Sequence, residues 1–381
     1  MKKILITSNL YLPNIGGIEN SLYYLAKSGV ENGDNISLVV SDIVDKDNLS
    51  IEDRTKLNCN IFQYTVPKTK CKLYNLIKHY FNAYKMYKEI KNKGCDLVIS
   101  RFHFNTLLAY LAGHKNISYV VPGVIKYQNS SNDMNDNLNL ISSKMKYILH
   151  TLIQYFAFKV SNKIYVFSGN MEKQILSIYN GDNIIKTSPG IDYLKFTFSE
   201  NNDYSVLINL LIVSRLVSVK NIAIAIEALS HLDDTYRLEI VGDGSERFSL
   251  EKIVKKLKLD DRVTFLGSQS NVVPFYSKAH IFLLPSTYEP FGQTILEASS
   301  CGIPTVSFSN KIVDTATNNI LENFGIYSEK LDSLSYAKSI DQAFNEYYIN
   351  QSKDRKLLRE YIIKKYSWEN LYKDLRRDID E

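Results

Sequence analysis

Short apolar runs alternate with segments whose apolar residues recur three and four positions apart, and this rhythm holds along most of the chain. In the first half the runs at 4–8, 36–41, 61–66, 97–100, 118–121, 163–167 and 184–187 read as strands. In the second half 207–214, 236–241, 263–266, 281–284 and 305–308 do the same. Segments 19–31, 73–91, 222–229 and 249–257 lie between them with helical spacing. Strands joined through helices pair in parallel, because each crossover needs a helix's worth of chain. The expected fold class is α/β, with two doubly wound Rossmann-like domains.

The length of 381 residues exceeds one ordinary core and suits two. The best break runs from Pro189-Gly190 through the polar stretch Ser199-Glu200-Asn201-Asn202-Asp203. The expected layout is a first domain over 1–190, a linker over 191–206, a second domain over 207–365, and a final helical segment over 366–381 carrying the sole tryptophan, Trp368. Two such domains side by side make a cleft onto which the carboxyl ends of both sheets face, and ligands of open α/β sheets bind at that edge.

Apolar residues make up 45% and charged residues 23%, the profile of a folded globular protein. Cys59, Cys71, Cys95 and Cys301 have no C-x-x-C or metal-like spacing and read as reduced thiols. The opening MKKILITSNLYLPN is interrupted by Ser8 and Asn9 and lacks a small-x-small cleavage site, so it reads as a strand rather than a signal sequence. No apolar stretch approaches the ~20 residues needed to span a bilayer. A cytoplasmic protein, or one peripheral on the inner face of the membrane, is expected. Heavy use of Lys, Ile, Asn and Tyr suggests an AT-rich bacterial genome. Residues 1–200 carry 24 Lys and Arg against 16 Asp and Glu, a net of +8, whereas residues 201–381 carry 22 against 25, a net of −3. The basic half invites an anionic partner. No zinc finger, RNP signature or basic tail supports nucleic acid, and no Ser-His-Asp set, P-loop or metal-ligand cluster occurs.

The densest chemistry lies at 284–304, LPSTYEPFGQTILEASSCGIP. A strand ends near Pro285, Glu289 follows, and Pro290-Phe291-Gly292 opens a helix containing Glu297. The N–H groups of Phe291, Gly292, Gln293 and Thr294 then face the cleft and favour a phosphate or sugar hydroxyl. Glu297 suits a bidentate hold on ribose hydroxyls, and Glu289 can bind sugar hydroxyls or stabilise positive charge. Two glutamates eight apart are common by chance, so the weight rests on the length of the block. Elsewhere, Gly16-Gly17 can bring backbone close to phosphates at a helix start, and Arg215 and Lys220 after a strand can neutralise a diphosphate.

This block resembles the signature of the family 4 glycosyltransferases (glycosyl transferases group 1), a retaining group with the two-domain GT-B architecture. Pro285, Ser286, Glu289, Phe291, Gly292, Glu297, Ala298, Cys301, Gly302 and Pro304 all fit the pattern. Pro13, Gly16-Gly17 and Glu19 look like the family's first loop, and Arg215-Leu216 with Lys220 like its Arg-Leu…Lys loop. VGDGSE (241–246) and RVTFLG (262–267) are similar to the segments that shape the nucleotide pocket, and Tyr366-Ser367-Trp368-Glu369 to the helix that crosses back to the first domain. The chain departs from the family at Ser214 and Asn221, which stand where glycines are frequent. After the strand at 118–121 it has Pro122-Gly123 where a histidine is frequent, leaving His103 as a substitute on the acceptor side. The region after Pro304 lacks the family's Gly-Gly.

The resemblance implies a retaining transfer from a nucleotide-diphosphate sugar, a UDP-sugar first of all, to a glycan or lipid-linked acceptor in bacterial surface polysaccharide synthesis. Arg215, Lys220 and Glu289 are the expected catalytic set. Gly16, Gly17, Phe291, Gly292, Gln293, Thr294 and Glu297 are the expected donor-binding set, with no metal or cofactor. A nucleotide-sugar epimerase on the same fold and a non-catalytic glycosyltransferase-like subunit are the alternatives. Residues 68–93 hold eight lysines against one acid, Glu89, with Leu73, Ile77, Tyr80, Tyr84 and Tyr87 at helical spacing. This helix either lies on an anionic membrane or packs in the core with its lysines solvated. Residues 147–158, nearly all apolar, are expected to be buried.

Overall fold

The structure is a computed structural model and describes residues 1–9, 17–41, 57–64, 70–128, 140–199, 207–289 and 291–379. The chain divides into two compact units, Met1–Gly190 with Trp368–Glu381, and Ile191–Ser367. In the first, strands β1 (Lys3–Thr7), β2 (Asn35–Ser41), β3 (Asn60–Tyr64), β4 (Leu97–Ser100), β5 (Ile117–Val120), β6 (Lys163–Val166) and β7 (Ile184–Lys186) form a parallel sheet ordered 3-2-1-4-5-6-7. In the second, β8 (Ile208–Val213), β9 (Tyr236–Val241), β10 (Val263–Gly267), β11 (Ile281–Leu284), β13 (Thr305–Phe308) and β15 (Ile326–Ser328) form a parallel sheet ordered 10-9-8-11-13-15. The short strands β12 (Tyr288–Glu289) and β14 (Asp314–Thr315) pair with each other apart from both sheets.

Each sheet is doubly wound because alternate side chains of its strands feed two separate cores. In the first unit Ile4 and Ile6 pack with Leu22, Leu25 and Trp368, whereas Leu5, Val39 and Val98 pack with Ala83, Tyr87 and Ala109. In the second, Leu210 and Ile212 pack against Ile226 and Ile340, and Leu211 packs against Ile295 and Ile362. A strand buried on both faces must be apolar throughout. Accordingly, each apolar run read from the sequence contains a strand, displaced by no more than two residues at either end.

Two local expectations need correction. Residues 191–199, expected as linker, are packed into the second unit. Ile191 and Phe196 join its core, Arg355 donates to the carbonyls of Ser199 (2.7 Å) and Gly302 (2.8 Å), and Arg359 donates to that of Phe196 (2.7 Å). Residues 200–206 lie outside the described residues. Residues 147–158, expected to be buried, belong to the helix Leu140–Val160, whose Gln154, Ala157 and Phe158 are buried while Ile148, Leu149, Leu152 and Phe156 are open to solvent. Apolar residues all round a helix leave no polar face to mark the solvent side, so the sequence could not show which face was free.

The terminal helix Trp368–Arg376 belongs to the first unit. Trp368 stacks on Tyr24 at 5.4 Å, and Leu371, Tyr372 and Leu375 are buried. Its polar anchor is Asp34, which accepts from Tyr372 Oη (2.9 Å), Arg376 Nε (2.7 Å), Asn32 Nδ2 (3.0 Å) and the backbone N–H of Lys2 (2.9 Å). Burial alone would raise the pKa of Asp34, but Arg376 and the other donors outweigh it and bring it down to about 2 from 3.8. A carboxylate with a lowered folded-state pKa stabilises above its unfolded value and loses that contribution as pH falls through the folded one. Asp34→Asn should therefore cost about 2 kcal/mol of stability near pH 7, with the difference from wild type shrinking between about pH 4 and pH 2. Denaturant unfolding of both proteins across that range checks it, and a pH-independent difference would contradict it.

Candidate active site

The order of the second sheet reverses between β8 and β11, with β9 and β10 on one side and β13 and β15 on the other. Loops leaving neighbouring strands at such a point diverge and leave a crevice at the carboxyl edge. The loops here are 214–221 and 285–292, which carry Arg215, Lys220 and Glu289. They are tied to each other through one carbonyl. Val219 O accepts from the backbone N–H of Thr287 (2.9 Å) and from its Oγ1 (3.3 Å). Beyond that tie, Lys220 Nζ donates to Glu289 Oε2 in an ion pair whose side chains are only 15% and 13% exposed. Glu289 is held from the far side as well, since Ala316 N–H donates to its carbonyl (3.0 Å) and Asp314 N–H to that of Thr287 (3.0 Å).

Arg215 is exposed and its side chain makes no hydrogen bond or ion pair among the described residues. Its backbone is fixed nonetheless. Leu216 is fully buried, its N–H donates to Asp243 O (2.9 Å), and its carbonyl accepts from Glu246 N–H (2.9 Å). Ser214 N–H donates to Val241 O (3.0 Å), so the loop after β8 rests on the loop after β9. Gly242 makes that contact possible, because its φ is +137° and a Cβ there would lie 1.8 Å from Ser214 O. The VGDG segment thus seats the Arg215 loop. Asn221 adopts φ +49°, the left-handed conformation that glycine favours and asparagine tolerates. Asn221 thus takes a left-handed turn without being a glycine, while Ser214 has no positive φ.

The helix Gln293–Ser300 starts at Gly292, whose φ of +87° turns the chain from Glu289 into the helix. A Cβ at Gly292 would come within 2.7 Å of Ile295 and 3.0 Å of Glu289 Cγ, so glycine lets the helix start close to the carboxylate. The first turn of a helix presents amides without intrahelical partners, and Gln293 and Thr294 occupy that turn. Phe291, expected on the donor, has its ring edge-on to Tyr366 at 6.1 Å, which makes it a packing residue as well. Further along, Glu297 Oε2 accepts from the hydroxyl of fully buried Tyr276 (2.9 Å), and Oε1 has no partner among the described residues. Burial raises the pKa of Glu297, opposed by Tyr276 and Lys195. One carboxylate oxygen is thus oriented from behind and the other left to accept a hydroxyl.

The first sheet has its own reversal, between β1 and β4. After β1, Gly17 opens the helix Gly17–Glu31, and Gly16 and Pro13 lie outside the described residues. After β4, His103 opens the helix His103–Leu111. It is buried, with Nε2 3.0 Å from His150 Nδ1, and burial and then His150 push its pKa down to about 3. A ring held neutral to that extent is a weak proton acceptor. The Pro122-Gly123 turn after β5 is secured by Gln154, which donates to Gly123 O (2.9 Å) and accepts from Ile125 N–H (3.0 Å). Sequence reading missed Thr287, Tyr276, His150 and the strand Asp314–Thr315. None stands in a recognisable pattern, because each acts through a few hydrogen bonds that only the fold brings together. Among the described residues no cluster of three or more His, Cys, Asp or Glu is placed to hold a metal ion.

Residues 198–367 match the family model described as glycosyl transferases group 1. An uncharacterised glycosyltransferase of Methanocaldococcus jannaschii, MJ1607, is 26% identical over 244 residues, covering 58% of this chain and 60% of that protein. The O-antigen biosynthesis glycosyltransferase WclY of Escherichia coli is 29% identical over 172 residues, 44% of this chain and 46% of its own. The chain thus spans less than two thirds of either relative. Among solved structures, Anabaena Alr3699/HepE in complex with UDP and glucose superposes with a TM-score of 0.75 over 100% of both chains at 14% identity, a likeness of fold. Residues 198–367 are thus similar to the glycosyl transferases group 1 family, and the chain's two Rossmann-like domains have the GT-B fold.

Proposed function

We propose that the chain transfers a glycosyl group from a nucleoside-diphosphate sugar, a UDP-sugar first of all, to a glycan or lipid-linked acceptor of bacterial surface polysaccharide, with retention at the anomeric carbon. The observation that carries this reading is the Lys220–Glu289 pair beside exposed Arg215, at the strand reversal and next to the start of the helix Gln293–Ser300. The surface-polysaccharide context is supported by WclY, a protein of O-antigen biosynthesis, and the nucleotide by the UDP in the HepE structure.

In this reading the donor's diphosphate takes Lys220 from Glu289 and gains Arg215 and the helix amides. As the sugar–oxygen bond breaks, both electrons pass to the diphosphate, and these groups meet the charge that develops there. The acceptor hydroxyl attacks from the same face and gives its proton to the departing phosphate oxygen. Glu289, released from Lys220, is free for the sugar hydroxyls or the positive charge on the ring. The protein supplies position and electrostatics and needs no strong base, which agrees with a neutral His103. Cationic side chains and helix amides can serve the diphosphate as a divalent metal would, so the proposed reaction is metal-independent. Glu297, steadied by Tyr276, holds the ribose.

Arg215→Ala should lower turnover by about 10²-fold or more while leaving the fold intact, as expected for loss of a charge-assisted contact to a developing oxyanion. A steady-state assay with a panel of nucleotide sugars measures this, and near-normal transfer by the folded variant would remove Arg215 from the mechanism. Activity should also persist in EDTA; complete loss that only Mg²⁺ or Mn²⁺ restores would contradict metal independence.

A further inference from the structure

Three helices, Lys72–Asn92, His103–Leu111 and Leu140–Val160, lie together on one face of the first sheet, with the middle one packed against both others. The helix Lys72–Asn92 turns Ala83, Tyr87 and Ile90 to the core. At 100° per residue, Tyr74, Ile77, Lys78, Phe81, Lys85 and Lys88 fall within an arc of about 100° on its opposite side. Tyr74, Ile77 and Phe81 are 51%, 62% and 46% exposed, and Lys85 Nζ stands 4.7 Å from the Phe81 ring centre.

The helix Leu140–Val160 repeats the arrangement with almost no polar relief. Its buried side is Gln154, Ala157 and Phe158. Met145, Ile148, Leu149, Leu152 and Phe156 fall within a second arc of about 100°, and all five are between 47% and 66% exposed. Both stripes point away from the sheet that their helices cover. A continuous stripe of large apolar side chains on a solvated helix marks an interaction surface rather than ordinary exposure.

Charge identifies the partner. The three helices hold eight lysines and one acid, Glu89, and Glu89 is already paired with Lys93 (2.6 Å). An apolar stripe beside unbalanced cations matches a surface that is anionic outside and hydrocarbon beneath, and no described helix is long and apolar enough to cross a bilayer. We propose that this three-helix face docks on the surface of an anionic lipid bilayer. The stripe of Leu140–Val160 enters the boundary between headgroups and acyl chains, and the lysines of Lys72–Asn92 engage lipid phosphates. The proposal needs no glycosyl transfer and stands independently of the function proposed above.

Sedimentation with vesicles, in the absence of any nucleotide, tests it. The protein should partition to vesicles of mixed phosphatidylglycerol and phosphatidylcholine and not to phosphatidylcholine alone. The variant carrying Lys78→Glu, Lys85→Glu and Lys88→Glu should bind at least about a hundredfold more weakly, since each lysine near such a surface strengthens binding about fivefold. The variant carrying Leu149→Ser and Leu152→Ser should lose on the order of tenfold, with its thermal unfolding and nucleoside-diphosphate binding unchanged. High salt should abolish most binding of the wild type. Equal partition to both vesicle types, failure to bind at any ionic strength, or a Leu149→Ser, Leu152→Ser variant that binds vesicles as tightly as wild type would overturn the proposal. So would a concentration-dependent dimer, removed by those serines, in a protein that ignores vesicles, because the stripe would then be a contact between two copies.

Discussion

A single carbonyl, that of Val219, joins the two loops on which the proposed chemistry of the second domain depends. The loops leave β8 and β11, adjacent strands whose chain connections run in opposite directions across the sheet. That reversal separates the loops and makes room for a ligand, but it also leaves them without a shared ladder of backbone hydrogen bonds. Thr287 supplies the missing tie with both its N–H and its hydroxyl. Once Val219 is fixed against Thr287, Lys220 and Glu289 lie one and two residues further along their loops, and their pairing follows from that proximity. The glycines at 242 and 292 serve the same end, since each permits an approach that a Cβ would block.

The pair so formed is poised rather than inert. An ion pair mostly shielded from water loses hydration on both sides, and its attraction only partly repays the loss. A diphosphate carries more charge than one carboxylate, so it can compete for Lys220 without leaving that cation uncompensated. Arg215 differs in being exposed, held by its backbone alone, and ready for the second negative group. In the proposed mechanism the Lys220–Glu289 pair holds one cation and one carboxylate in reserve, and donor binding releases the carboxylate beside the sugar.

Much of this was legible in the sequence, for reasons that differ between elements. Strands buried on both faces must be apolar, so each main strand but β15 announced itself, whereas β12 and β14 have two residues each and too little length for a periodic signal. The motif from Pro285 to Pro304 located the helix and its glutamates because it combines a turn, a glycine and carboxylates in fixed order. What the sequence could not disclose were contacts made by one atom: Val219 O, the Tyr276 hydroxyl, the ring of His150. Residues 191–199 looked like a linker because their packing depends on Arg355 and Arg359, more than 150 positions away. The helix Leu140–Val160 hid its exposed stripe because apolar residues on every side erase the contrast that burial normally writes.

The proposed chemistry requires that the loops after β8 and β11 bind a nucleoside diphosphate through Lys220. Calorimetric titration of the free chain with UDP and the other nucleoside diphosphates tests this most directly, using wild type, Lys220→Ala and Glu289→Gln. One nucleotide should bind the wild type, Lys220→Ala should weaken it about tenfold or more, and Glu289→Gln should bind as tightly as wild type or tighter, because the lysine no longer has to leave a carboxylate. Absence of binding by every nucleoside diphosphate, or an affinity that Lys220→Ala leaves unchanged, would contradict the account.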